Sequence, residues 1–191
     1  FDSIFERTIE LIRRQVENMR KIASDFSAFA GARKATPERL DLARLVGEIV
    51  DLNAAWAREQ RIAVTVRVEP AHVWADSTEL RRVLINLVSN AFEAMPEGGA
   101  LSIELRRATS ASDRHVVLTI EDTGVGLSDT VRARLFEPYF TTRTHGTGLG
   151  LAISRRIVEE LGGTIALEPR TDGRGTIARV TLSEHVGEMV A

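Results

Sequence analysis

Cysteine is absent from this chain of 191 residues, tyrosine occurs once and tryptophan twice. Without a thiol there is no disulfide, zinc–thiolate centre or cysteine nucleophile, a composition that suits a reducing compartment. No apolar run approaches the roughly 20 residues of a membrane-spanning helix. Neither charge is in excess: 25 basic and 27 acidic residues are interleaved, and the formal net charge is -2. No sustained positive face is offered to nucleic acid or anionic lipid, so the pairs Arg81-Arg82, Arg106-Arg107 and Arg155-Arg156 read as solvated surface. No repeat is evident, and the start at Phe1 without methionine does not resemble a signal peptide. The expectation is a cytoplasmic piece of a longer protein, membrane-anchored or not, that itself touches neither membrane nor nucleic acid. With 43% hydrophobic residues it has enough apolar mass for a core.

What is present is a strong helical period near the start. Apolar side chains recur at Phe5, Ile9, Ile12, Val16, Met19, Ala23, Phe26 and Ala30. This three-four spacing predicts an amphipathic helix with a coiled-coil-like seam, about 40 Å long at about 1.5 Å per residue. The stripe has no partner stretch before it, so self-association through the helix is expected. Gly31 and Ala35-Thr36-Pro37 break the pattern, which places a boundary near residue 36. The chain then divides into 1–36, a domain over 37–183 and a frayed tail over 184–191.

Within the domain, Asp41 is placed to cap a helix running to about residue 59 with Leu42, Leu45, Val46, Ile49 and Leu52 inward. Residues 62–68 alternate as a strand. Asp76-Ser-Thr-Glu79 opens a second helix whose core face is Leu80, Val83, Leu84, Leu87, Val88 and Ala91. Strands are expected over 101–106 and 115–121 around a loop at 108–113. A helix over 149–161 ends at Gly162-Gly163, and strands over 164–168 and 176–182 follow. The pattern is that of an α+β fold: a two-layer α/β sandwich in which a mixed sheet carries three main helices, preceded by the long amphipathic helix. Trp56, Trp74, Phe136 and Phe140 read as packing or lid anchors rather than ligand stackers.

Three motifs carry chemistry, in the order Asn86-Leu-Val-Ser-Asn90, Asp122-Thr-Gly-Val-Gly126 and Gly146-Thr-Gly-Leu-Gly150. Asn86 and Asn90 are four apart on one helix, so their amide oxygens leave the same face, and two such oxygens suffice for magnesium shared with phosphates. Asp122 ends a strand before a glycine turn, where a carboxylate can accept from an exocyclic amine of a base. The glycine loop at 146–150 runs into a helix, whose free N–H groups and positive dipole end favour phosphate. It is neither a Walker loop nor a dinucleotide fingerprint, since the lysine of the first and the strand context of the second are missing.

In this order, and with Leu135-Phe-Glu-Pro-Tyr-Phe-Thr-Thr-Arg143 between the last two motifs, the chain resembles the catalytic, ATP-binding domain of sensor histidine kinases. The form is that of nitrogen-regulation sensor kinases, within the superfamily shared with gyrase, MutL and the ATP-driven heat-shock chaperones. The resemblance covers residues 40–183. It implies ATP and Mg²⁺ as cofactors: Asn90 with Asn86 on the metal, Asp122 on the adenine amine, and Gly124 and Gly126 beneath the base. Gly146, Thr147, Gly148, Leu149 and Gly150 would surround the phosphates, Arg143 would reach them from the lid, and Thr176 would touch adenine through water. Glu93 stands three after Asn90, where many members carry a basic residue.

The catalytic set implied is thus Asn86, Asn90 and Arg143. Hydrolytic members of the superfamily carry a glutamate where Asn86 stands, and an amide cannot take a proton from water at neutral pH. Transfer to a protein nucleophile is favoured over hydrolysis. The expected acceptor is a histidine on a dimerising helical hairpin, whose second helix the segment 5–30 resembles, with a response regulator receiver domain as onward partner. None of His72, His115, His145 and His185 has the context of an acceptor. The expectation is therefore the phosphoryl-donating domain of a homodimeric kinase, with a nucleotide-binding module without turnover, or an ATPase or serine kinase, as alternatives.

Overall fold

The computed structural model describes residues 35–109, 114–143, 146–171 and 173–185, and toward the N-terminus residues 5, 6, 8, 9, 12, 13, 15, 16, 19, 20 and 23. Those N-terminal residues are helical, and Phe5, Ile9, Ile12, Val16 and Met19 are all exposed. Ala23 of the expected seam is exposed as well, while its last members Phe26 and Ala30 lie outside the described residues, as do His145 and residues 186–191.

Among the described residues, seven strands and four helices follow. The element order is β1 (Glu38–Asp41), α1 (Leu42–Glu59), β2 (Ile62–Val68), β3 (His72–Ala75), α2 (Ser77–Glu93), β4 (Gly99–Thr109), β5 (Arg114–Asp122), α3 (Asp129–Arg132), α4 (Gly150–Glu160), β6 (Thr164–Pro169) and β7 (Thr176–Ser183). A five-stranded sheet runs β2-β4-β5-β7-β6, with β2 parallel to β4 and every other pair antiparallel. The mixed sheet with α1, α2 and α4 is the expected α+β sandwich. Leu101, Ile103 and Leu105 of β4, Val116, Leu118 and Ile120 of β5, and Ala178, Val180 and Leu182 of β7 form one core with the helices.

Both helix starts named from the sequence are real caps. Asp41 accepts from the Arg44 N–H at 3.0 Å, and Asp76 accepts from the N–H groups of Thr78 at 2.8 Å and Glu79 at 3.2 Å. Asp76 does more than cap. Its second oxygen accepts from the Thr36 N–H at 2.9 Å and the Thr36 hydroxyl at 3.2 Å, clipping the residue placed at the domain boundary to the start of α2. These donors, the Thr36 amide foremost, hold the Asp76 carboxyl below its ordinary value.

Several expectations change. Leu52 is not in the core but 67% exposed, because the inward stripe of α1 passes from Ile49 to Asn53 and Ala57. Asn53 accommodates this by donating to the Ile49 carbonyl at 2.8 Å. His72 lies in β3, a strand not expected from the sequence, which pairs with β1 in a small antiparallel sheet. The strand β4 extends to Thr109, into the stretch expected to be loop. Glu184 and His185, assigned to a frayed tail, are tied down by bonds to the carbonyls of Arg114 at 2.9 Å and His72 at 2.8 Å.

Trp56 packs edge-on against Phe92 at 4.9 Å, while Trp74 lies at the surface against His185. A cleft of about 330 Å³ beside Trp74, between Pro37, Leu161 and Leu182, sits at the far ends of α4 and β7 from the three motifs.

Candidate nucleotide site

The alternation of β5 decides where Asp122 goes. Val116, Leu118, Ile120 and Asp122 share one face, so the carboxylate is delivered to the helix-covered side of the sheet, 5% exposed. Register places Thr176 opposite it, and Thr176 is buried as well. Asp122 Oδ1 accepts from the N–H groups of Gly124 at 2.8 Å and Thr176 at 3.3 Å. Its other oxygen takes no bond among the described residues, so it is open to a donor from a ligand. Burial pushes the Asp122 carboxyl above its ordinary value, and the two N–H groups and nearby Arg170 offset part of that rise.

Glycine is required around this carboxylate. A Cβ on Gly124 would stand 2.5 Å from the Ala94 carbonyl oxygen, and one on Gly175, at φ 134°, would overlap the carbonyl oxygen of Asp122. Gly126, at φ 77°, stacks on Gly175. The Asp122 turn is also fastened to the end of α2, through the Val125 N–H to the Ala94 carbonyl at 3.0 Å.

The same helix meets the glycine loop. Asn86 Nδ2 donates to Ser154 Oγ at 2.9 Å, and its Oδ1 lies so close to Gly150 that a Cβ there would overlap it. Ser154, 1% exposed, donates in turn to the Gly150 carbonyl at 2.9 Å. Ser154 was not among the residues picked from the sequence, although a serine beside Ile153 and Ile157 on the inward face was a visible anomaly. At the start of α4 Leu149 supplies no side-chain cap, so the first-turn N–H groups are left to a ligand. Thr147 Oγ1 accepts from the Leu149 N–H at 3.3 Å, and Gly148, at φ 67°, accepts at its carbonyl from Tyr139 at 3.0 Å. Gly146 packs against Thr141.

Arg143 reaches Asn90. Its Nη1 donates to Asn90 Oδ1 at 2.7 Å and pairs with Glu93, and its Nη2 donates to the Asn90 carbonyl at 3.2 Å. Phe136 and Phe140 are anchored by arginines, with the Arg134 guanidinium 4.4 Å from the Phe140 ring and that of Arg155 5.3 Å from Phe136. All three motifs thus meet along one helix, α2, with Asn86 facing the glycine loop and Ala94 facing the Asp122 turn. His72, His115 and His185 lie on or beside strands away from that line.

The groups present fit magnesium and ATP. They comprise amide oxygens for a hard cation, an open carboxylate oxygen for an amine, a glycine cradle that any Cβ would fill, and an uncapped helix start. The family model for histidine kinase-, DNA gyrase B-, and HSP90-like ATPases matches residues 75–186, a span that holds all of these groups. The chain belongs to that family.

Within it the likeness runs to sensor kinases. The chain is 34% identical over 183 residues to the nitrogen regulation protein NtrY of Azorhizobium caulinodans, covering 94% of this chain and 24% of that protein. It is 39% identical over 158 residues to the C4-dicarboxylate transport sensor protein DctS of Rhodobacter capsulatus, covering 78% of this chain and 23% of the relative. The solved catalytic domain of histidine kinase ThkA superposes with a TM-score of 0.70 at 32% identity, covering 78% of this chain and 96% of that one. ThkA has also been solved in complex with the response regulator protein TrrA; that structure superposes with a TM-score of 0.76 at 26% identity, covering 93% of this chain and 51% of that one. The chain therefore comprises a histidine kinase catalytic domain and spans about a quarter of the length of NtrY and DctS.

Proposed function

We propose that this domain binds Mg-ATP along α2 and donates the γ-phosphoryl group to a histidine on a helical hairpin supplied by the rest of its kinase. The observation that carries the reading is the open oxygen of Asp122, whose partner oxygen Oδ1 is held by two backbone N–H groups in a glycine-walled site. That oxygen accepts from the adenine amine, while the fixed donors prevent the carboxylate from turning away. Gly124 and Gly126 leave room for the base, and buried Thr176 borders it. The glycine loop and the start of α4 give N–H groups to the phosphates. Asn90 and Asn86 would hold Mg²⁺ through their amide oxygens, and the ion when bound neutralises phosphate charge.

Transfer rather than hydrolysis follows from Asn86. Its nitrogen is committed to Ser154, and its amide oxygen cannot serve as a base. A ring nitrogen of the acceptor histidine, deprotonated before or during attack, forms the new P–N bond as the bond to the β,γ-bridging oxygen breaks and ADP leaves. Arg143 supplies a fixed charge beside that oxygen.

The exposed stripe Phe5, Ile9, Ile12, Val16 and Met19 supports a homodimer through the N-terminal helix. The likeness to ThkA supports a response regulator receiver domain as the onward partner. Among the described residues no helix is long and apolar enough to cross a membrane, in keeping with a cytoplasmic kinase domain. The reading is tested by titrating the chain with ATP in the presence and absence of Mg²⁺ while following phosphate release. Saturable, metal-dependent binding with negligible release is expected; steady release without an acceptor would contradict it.

A further inference from the structure

Glu93 breaks a local rule. It sits in the last turn of α2, where a carboxylate opposes the negative end of the helix dipole, and that turn holds no basic residue to compensate. In the site as proposed it would also face the triphosphate. Such a residue is explained when it holds a cation, and Glu93 does: its carboxylate pairs with the Arg143 guanidinium from the lid.

We propose that Glu93 is a positioning residue for Arg143, the pivot that keeps the lid guanidinium beside the phosphate end of the site. The proposal rests on the reading of α2 as the Mg-ATP helix. Glu93 and Asn90 are three apart and so share a face of α2, and the guanidinium bridges them. One nitrogen meets Asn90 Oδ1 at 2.7 Å and the Glu93 carboxylate, and the other meets the Asn90 carbonyl at 3.2 Å.

The lid backbone folds around the same residue. The Arg143 N–H donates to Thr141 Oγ1 at 3.1 Å, and the Arg143 carbonyl accepts from Gly146 at 3.4 Å. One of the anchors is temporary, because Asn90 Oδ1 is the oxygen assigned to magnesium and cannot serve a guanidinium and the metal together. When the metal takes it, the Glu93 carboxylate remains. A guanidinium has five N–H donors in a planar fork, so it can keep Glu93 with one edge and turn the others to phosphate. Arg143 then needs only a side-chain rotation, not a search by the whole lid.

Both side chains are more than a third exposed, at 39% and 36%, so the pair adds little to folding stability and its variants are expected to fold. The role is read as coupling in nucleotide binding, independent of turnover. Dissociation constants for Mg-ATP and Mg-ADP are measured by calorimetry on the unaltered chain, Glu93→Ala, Arg143→Ala and the double variant, with circular dichroism on each. Arg143→Ala is expected to weaken ATP by about tenfold and ADP by much less, as for loss of one charge-assisted bond to the terminal phosphate.

In the Glu93→Ala background the same change is expected to cost less than about threefold, since the unpositioned arginine has little left to lose. Glu93→Asp should keep most of the coupling and Glu93→Gln should lose it. An equal cost of Arg143→Ala in both backgrounds, or no cost in either, would overturn the positioning role while leaving the ATP site standing. Failure of the unaltered chain to bind Mg-ATP would overturn the site and the role together.

Discussion

Asn86 and Ser154, 68 residues apart in sequence, are joined by a 2.9 Å hydrogen bond that ties α2 to α4. Ser154 passes the bond on to the Gly150 carbonyl, so α2 and the glycine loop at the start of α4 are held by one buried hydroxyl.

Ser154→Ala removes that hydroxyl and leaves the Asn86 amide nitrogen without its partner. The expected cost is about 1 kcal/mol of stability for a half-buried donor left without its partner. Chemical denaturation with and without Mg-ATP checks it, and the nucleotide-induced stabilisation should also shrink. An unchanged midpoint in both conditions would mean that the link is incidental.

Asp122 should be held against the stability of the empty fold. Its folded pKa is raised by burial, so its contribution is fully present below the unfolded pKa and is lost as pH rises through the folded value. At neutral pH the buried charge is therefore a cost. Asp122→Asn keeps an oxygen for the Gly124 and Thr176 N–H groups and removes the charge. Its melting temperature without nucleotide should exceed that of the unaltered chain at pH 7.5, with the gap closing toward about pH 4, near the unperturbed carboxylate value. Mg-ATP binding should fall by at least about tenfold, because an Asn nitrogen cannot accept from the adenine amine.

Asp76 shows the opposite sign. Its pKa is lowered in the fold, so its contribution is present above the unfolded carboxylate value and is lost as pH falls through the folded one. Asp76→Asn retains a cap oxygen for α2 but presents a donor to the Thr36 N–H. It should cost about 1 kcal/mol at pH 7, and Asp76→Ala, which loses the cap as well, about 2–3 kcal/mol. Denaturant curves across pH should show both penalties shrinking in acid.

Two glycines with positive φ should differ in their response to alanine. Gly162 ends α4 at φ 70° with nothing within 4 Å of an added Cβ, so Gly162→Ala meets only backbone strain of about 1 kcal/mol. Gly175→Ala adds overlap with the Asp122 carbonyl and should cost about 3 kcal/mol or more, with loss of nucleotide binding. Thermal melts of the two variants side by side provide the comparison.

Much of this was legible in the residues because it rests on local chemistry. Asp41 and Asp76 announced their helices through capping, and the strand over 115–121 was expected to end at Asp122, while the face on which Asp122 arrives came with the sheet. Leu52 misled because its hydrophobicity suggested a buried position, whereas the helical period puts Asn53 on the inward stripe. The strands β1 and β3 have four residues each, too few to show alternation, and exist by pairing with one another. The Asn86–Ser154 and Glu93–Arg143 links join segments distant in sequence, and no periodicity encodes such a partner. The glycine motifs marked where the backbone must come close, but not what it comes close to: Gly124 to Ala94, Gly150 to Asn86 and Gly175 to Asp122.

The central claim, that this domain donates phosphoryl to histidine, is tested most directly by incubating the chain with γ-labelled Mg-ATP and a separately supplied acceptor hairpin. Label on the hairpin that is lost in acid and retained in base, and that disappears with Asp122→Asn, is the expected result. Label that is stable in acid, or free phosphate accumulating at the same rate with and without the hairpin, would contradict the account.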